Sequence, residues 1–353
     1  MYRCRPLPVE SNSLLKRDRN NAATWLLLRS MPLLLMCAVT ASGKKPAGTG
    51  DVHKHKAKIE VWSLCTRVEN SGGNTRYCAL FFLSGKLFMV SGNFVHYGML
   101  EYPSLEYTHE NQTLVPPLKK VHHDFVKLDE HLGNNSLTSD TVSGVITMGA
   151  EFERLKAQFT ITSRKPKVTF REIIGSGYVK RKFDWYLLPR CRVTMITGEG
   201  DAADTLTGTG HFQQFWGKTG GADCDWIVVH TRGGYDLIIT RFTREAKKQP
   251  WVPGDYLFMS EPDGSVRKLE TFTISVTDQW ESTTGKRFPT GFSVGAQPQG
   301  IELTIKALTP DQSTTVAGKE YWYGFGSVQG TIRGENQEGW AYSAPQSVSG
   351  SRE

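Results

Sequence analysis

Helical periodicity is the first thing this sequence lacks. No stretch carries an apolar face through three turns. The best candidate, "EFERLKAQF" at 151–159, runs straight into an alternating pattern. The common catalytic signatures are missing too: there is no GxSxG elbow, no HExxH and no phosphate-cradling GxxxxGK[ST]. An excess of positive charge is absent from the body of the chain. The formal net charge is +7, but residues 1–58 hold eleven Lys/Arg against three acids, leaving 31 basic against 32 acidic residues from 59 onward. A near-neutral body offers phosphates no broad electrostatic footprint, so no nucleic-acid partner is expected. No motif calls for a cofactor. His53 and His55 read as part of a solvated tail, and His122, His123 and His131 as a lysine-flanked surface loop, so no metal is expected.

Cysteine is scarce, at six residues in 353, and two of them fall in the leader. That leader, residues 1–42, has a basic start, the apolar run "TWLLLRSMPLLLMCAVTAS" at 24–42 and small residues at its end. This is the pattern of a signal peptide cut near Ser42, or of an uncleaved anchor. A membrane contact is implied only in the second case; otherwise the chain is expected to enter the secretory pathway. A polar linker, 43–58, follows. Of the four remaining cysteines, Cys65 and Cys78 flank "NSGGN" nearly symmetrically. Two readings stand: a cross-strand disulfide, or two buried free thiols. Asn111 and Asn134 open N-x-[ST] sequons and are candidate glycosylation sites.

What the chain has in quantity is glycine (35), aromatic residues (11%) and period-two alternation. Phe159 and Ile161 share a face, as do Phe272, Ile274 and Val276, and Ile301, Leu303 and Ile305. "DWIVVHTRGGYDLIITRF" at 225–242 reads as a hairpin about Arg232-Gly233-Gly234, and "EPDGS" at 261–265 as a turn. Many strands without helices predict an all-β protein whose sheets close on themselves, because open edges aggregate. Aromatic residues next to uncharged polar groups stand out, above all in "GTGHFQQFWGK" at 208–218. They serve either as core packing or as the lining of an apolar site with a few oriented polar groups.

Three stretches carry a resemblance: "IEVWSLCTRVENSGGNTRYCALFF", "GTGHFQQFWGK" with the hairpin after it, and "YWYGFGSVQGTIRGENQEGWAY" at 321–342. In this order and spacing, over about residues 59–345, they resemble the two-domain lipocalin-like family. That family includes carotenoid hydratases (hydroxyneurosporene synthase), attachment-virulence-like secreted proteins, kievitone hydratase and fungal Diels–Alderases. The resemblance implies two antiparallel β-barrels side by side, 59–220 and 221–348, with a cavity at or near their interface for a hydrophobic small molecule. It implies ligand contacts from Glu60, Trp62, Phe212, Phe215, Trp226, Tyr321 and Trp322.

Departures from the family pattern decide the expected chemistry. Gln213 and Gln214 stand where hydratase relatives carry Asp-His, and Tyr323 stands in place of a Glu. An amide does not ionise near neutral pH, so it cannot protonate an alkene. Cycloaddition makes no such demand: a folded polyene needs positioning and a neutral donor on its carbonyl. Gln213, Gln214, Trp216 and Tyr323 are therefore the expected catalytic residues of a Diels–Alder-type cyclase. A hydratase with Glu60 or Glu320 as the acid is the alternative, and a carrier without chemistry is the third reading.

Overall fold

The computed structural model describes residues 55, 59–87, 90–114, 121–123, 129–140, 142–174, 181–198, 200, 203–217, 224–242, 255–316 and 319–345. The leader, residues 1–42, lies outside this set, as does all of the linker except His55.

The described chain is nearly all β, with a 3-10 turn at Gln297–Gln299. A first sheet holds β1 (Ile59–Glu69), β2 (Thr75–Leu87), β3 (Val90–Tyr102), β4 (Glu106–Leu114), β5 (Val121–His123), β6 (Asp129–Leu132), β7 (Asn135–Ser139), β8 (Val145–Glu151), β9 (Lys156–Ser163), β10 (Val168–Ile174), β11 (Arg181–Thr197) and β12 (Asp204–Gly217). Its order is 4-3-2-1-12-11-9-8-7-6-5, with β10 on β11. The sheet curls far enough for β4 to meet β7, β8 and the turn after it. The Glu110 carboxylate accepts the Glu153 and Arg154 amides, and Gln112 bonds Glu151 O and Asn135. His122 and His131 are not in a loop; they are register partners on β5 and β6.

A second sheet holds β13 (Cys224–Thr231), β14 (Asp236–Phe242), β15 (Tyr256–Ser260), β16 (Val266–Leu269), β17 (Thr273–Glu281), β18 (Arg287–Ala296), β19 (Ile301–Ala307), β22 (Gly324–Ile332) and β23 (Glu335–Ala344), in the order 16-15-14-13-23-22-19-18-17. The hairpin of β20 (Ser313–Val316) and β21 (Lys319–Trp322) stands apart and touches β4. The expected hairpin over 225–242 forms, with Gly234 at φ 86° in its turn. The turn at 261–265 closes through Glu261 N–H to Ser265 O.

Strand alternation sorts the core into layers. Trp62, Leu64, Phe82, Phe159, Ile161 and Phe212 fill the first curled sheet, and Ile227, Val229, Leu237, Val294 and Leu303 fill the second. The outward faces of the central strands meet between the sheets. Cys65, Tyr77, Phe325, Trp340 and Tyr342 pack there, with Val168, Leu187, Val228 and Phe258 beside them. Each buried aromatic or aliphatic side chain contributes about 1.5–3 kcal/mol. Gly208 and Gly210 let β12 lie tight on β1, since a Cβ on either would strike the Arg67 or Cys65 carbonyl.

A β-bulge at Pro189–Arg190 changes the face of β11. Tyr186 and Leu188 point into the first barrel before it, and Cys191 and Val193 after it. Proline gives no ladder N–H, which suits the break. The bulge turns Arg190 toward the second sheet.

Candidate functional site

Five consecutive residues, Gly210 to Gln214, are buried on β12, so both faces of this strand are covered. The even-numbered face looks into the first barrel, and the odd-numbered face looks at the second sheet. The structure thus separates the two glutamines.

On the inner face, Phe212 and Trp62 are fully buried core. Toward the end where β1 begins and β12 stops, the wall turns polar. Gln214 Nε2 donates to Glu60 Oε1 at 2.6 Å, and His55 Nδ1 lies 2.8 Å from the same oxygen and 3.2 Å from the Gln214 nitrogen. The His55 backbone N–H reaches both Glu60 oxygens, at 3.1 and 3.0 Å. Glu60 is 1% exposed, whereas the His55 side chain is 18% exposed. The His55 ring stacks on Trp216, with centroids 3.7 Å apart and planes 5° apart, and Tyr186 meets the other ring edge-on at 6.3 Å. A carboxyl, an imidazole, an amide and two aromatic rings thus converge at one end of the barrel. His55 is not part of a solvated tail; it pairs with the acid.

On the outer face, Gln213 Nε2 donates to Ser63 Oγ at 2.8 Å. Phe215 pairs with Trp185 across β11, and Trp185 lies 3.8 Å from Trp226. Tyr323 packs on Phe81 and His96 in the same layer, with Tyr321 stacked on it at 5.5 Å. Trp322 points elsewhere, buried with its indole N–H on Pro310 O. Of the expected site, Glu60, Trp62, Phe212, Gln214 and Trp216 therefore share the barrel interior. Gln213, Phe215, Trp226 and Tyr323 belong to the layer between the sheets.

That layer holds a chain of groups that the sequence analysis did not single out. His211 Nδ1 lies 3.0 Å from His230 Nε2, and His230 Nδ1 lies 2.7 Å from Asp236 Oδ1. Arg190 reaches Asp236 at 2.8 Å, and Lys165 at 2.7 Å. Burial pushes both histidines below their usual value. For His211, His230 adds to this; for His230, Asp236 works against it. Burial alone would raise the Asp236 carboxyl, but the His230 hydrogen bond and the Arg190 charge hold it below the usual carboxylate range. The three come from β12, β13 and the start of β14, and no short motif links them.

The cysteine pairing is corrected. Cys65 stands opposite Ala79 and Cys78 opposite Thr66, so the two thiols point to opposite faces of the sheet and both are free. Burial raises both, Cys78 to about 12. Asn134 is exposed in the turn between β6 and β7. The Asn111 amide instead donates to Thr315 O at 2.9 Å, and its oxygen meets His96 at 2.6 Å.

Residues 107–343 match the AttH-like family. The chain belongs to that family. Its fold is shared with the protein described as an AttH of Nitrosomonas europaea: TM-score 0.70 at 18% identity, covering 87% of this chain and 98% of that one. It is also shared with kievitone hydratase of Nectria haematococca, at TM-score 0.66 and 14% identity, covering 85% and 95%. CghA follows at TM-score 0.52 and 12% identity, covering 83% and 89%. These likenesses establish the fold of the AttH-like chain: two curled antiparallel sheets of lipocalin-like kind. No curated protein matches its sequence.

Proposed function

We propose that this AttH-like chain is an enzyme acting on a hydrophobic, polyene- or polyketide-like small molecule, and that it works by proton transfer at the Glu60 end of the first barrel. The observation that carries this reading is the contact of Glu60 with both His55 and Gln214, beside Trp216. A cyclase of the expected kind needs a neutral donor free to meet the substrate carbonyl and no acid beside it. Here an acid lies next to Gln214, and the amide nitrogens are engaged, Gln214 with Glu60 and Gln213 with Ser63. Glutamine braces the acid instead of polarising a carbonyl.

Glu60 holds His55 at the ring's Nδ1 side and through the backbone N–H. A protonated His55 would give that proton to an alkene carbon, and Glu60 would stabilise the imidazolium before transfer. The resulting cation would face the rings of Trp216 and Tyr186. Water would then add to the cation and return a proton to His55. Addition or removal of water fits this set better than cycloaddition, and the relationship in fold to kievitone hydratase supports it.

The test is incubation with kievitone and with linear polyenes in isotopically labelled water. Incorporation of one solvent oxygen per product is expected. A cyclised product without solvent oxygen would establish the cyclase instead, and bound ligand released unchanged would establish a carrier.

A further inference from the structure

The hydrogen-bond polarity between the sheets can be followed atom by atom. Asp236 accepts, since a carboxylate has no proton to give. His230 must therefore carry its hydrogen on Nδ1, 2.7 Å away. Its Nε2 is then a lone pair, which requires the hydrogen of His211 on Nδ1, 3.0 Å from it. His211 Nε2 is left as a bare acceptor. It is fully buried and has no hydrogen-bond partner among the described residues.

Among the buried atoms of this layer that have none, which include His96 Nε2 and Trp226 Nε1, two lie beside His211. Gln213 spends its nitrogen on Ser63 Oγ, so its Oε1 is a second acceptor. Tyr342 OH is the third, and burial holds the phenol well above its usual value, so it keeps its proton to donate. The three are neighbours. His211 and Gln213 are two apart on one face of β12, and the Tyr342 ring lies 6.1 Å from that of His211 and 6.1 Å from Phe81. Phe81 and Gln213 both stand opposite Ser63, on β2 and β12 respectively.

We propose that His211 Nε2, Gln213 Oε1 and Tyr342 OH together form a binding site for one water molecule between the two sheets. Two acceptors and one donor match water, which has two hydrogens to give and a lone pair to receive one. An alcohol has a single hydrogen and would leave one acceptor unmet. A direct Tyr342–His211 bond would leave Gln213 Oε1 unmet. A buried unpaired polar group costs about 1–3 kcal/mol, and buried waters with two to four partners are the usual remedy. His211 and Gln213 belong to the first sheet, and Tyr342, His230 and Asp236 to the second. The water completes a polar seam running from Lys165 and Arg190 through Asp236 to Ser63. This seam is on the opposite face of β12 from the Glu60 group.

A crystal structure of the full chain that shows ordered water tests this, alongside nitrogen-15 correlation spectra of the histidine rings. One density peak within hydrogen-bond distance of all three atoms is expected, with His211 and His230 both in the Nδ1–H form. In a Tyr342→Phe variant the water loses its donor, and its occupancy should fall while the His211 tautomer stays. A His211 ring protonated on Nε2, a direct pairing of Tyr342 with His211, or an organic hydroxyl in that position would each overturn the proposal.

Discussion

Gln214 lies diagonally across β1 and β12 from Glu60, and its amide nitrogen sits 2.6 Å from the carboxylate. Gln213, one residue earlier, faces the other way and bonds Ser63. One pair of strands therefore supplies two polar groups on opposite faces. The inner pair lies beside the His55 and Trp216 rings, and the outer pair lies in the layer between the sheets, next to His211.

The outer group makes a stability prediction. Asp236 is buried and accepts from His230, Arg190 and Lys165. Asp236→Asn leaves the buried Lys165 and the half-buried Arg190 without their anion. A loss of about 3–5 kcal/mol is expected, read as a fall in the denaturant midpoint. An unchanged midpoint would mean that the seam contributes nothing.

Acid should weaken the fold in a defined window. Burial lowers His96 from 6.5 to about 4, with its Asn111 bond opposing and His109 adding to the shift. His211 and His230 are also held below their usual value, facing Asp236, Arg190 and Lys165. The unfolded chain then binds more protons than the native one below pH ~6.5, so stability declines as pH falls from there. His96 alone accounts for about 3 kcal/mol, lost between pH ~6.5 and about 4. Asp236, held below the usual carboxylate range, adds a loss at lower pH. Thermal melts from pH 7.5 to 4 should show the decline, and His96→Gln should flatten it.

Free thiols make a simple prediction. Cys65 and Cys78 lie on opposite faces. Both should react with an alkylating reagent after unfolding without reductant, and reductant should leave the melting temperature unchanged. A peptide pair joined through these residues would contradict the register of β1 and β2.

The two sequons should differ in a glycosylating host. A glycan on the Asn111 nitrogen would displace its contact with Thr315, whereas Asn134 is free of such a contact and exposed. Modification is expected at Asn134 and absent at Asn111, as peptide mass spectrometry would show.

The sequence carried the class of fold because alternation at Phe159/Ile161 and Ile301/Leu303/Ile305 is a local signal, and those side chains do line the two interiors. It was silent at 210–214, where both strand faces are buried and alternation disappears. Without alternation, Gln213 and Gln214 look like one group in the sequence. Cys65 and Cys78 misled for a related reason: near-symmetry about a turn does not fix register, and a shift of one residue changes the face. His55 looked like tail because its partners, Glu60 and Trp216, are reached only through the fold. The His211–His230–Asp236 chain joins separate strands and leaves no spacing to detect.

The most direct measurement is turnover by Glu60→Gln and His55→Gln variants, confirmed folded, on whichever substrate the parent protein converts. Loss of the proton-transfer pair predicts a fall in kcat of roughly 10²–10⁴-fold with KM little changed. Variants that keep the parental kcat would show that the Glu60 end of the first barrel is not where the chemistry happens.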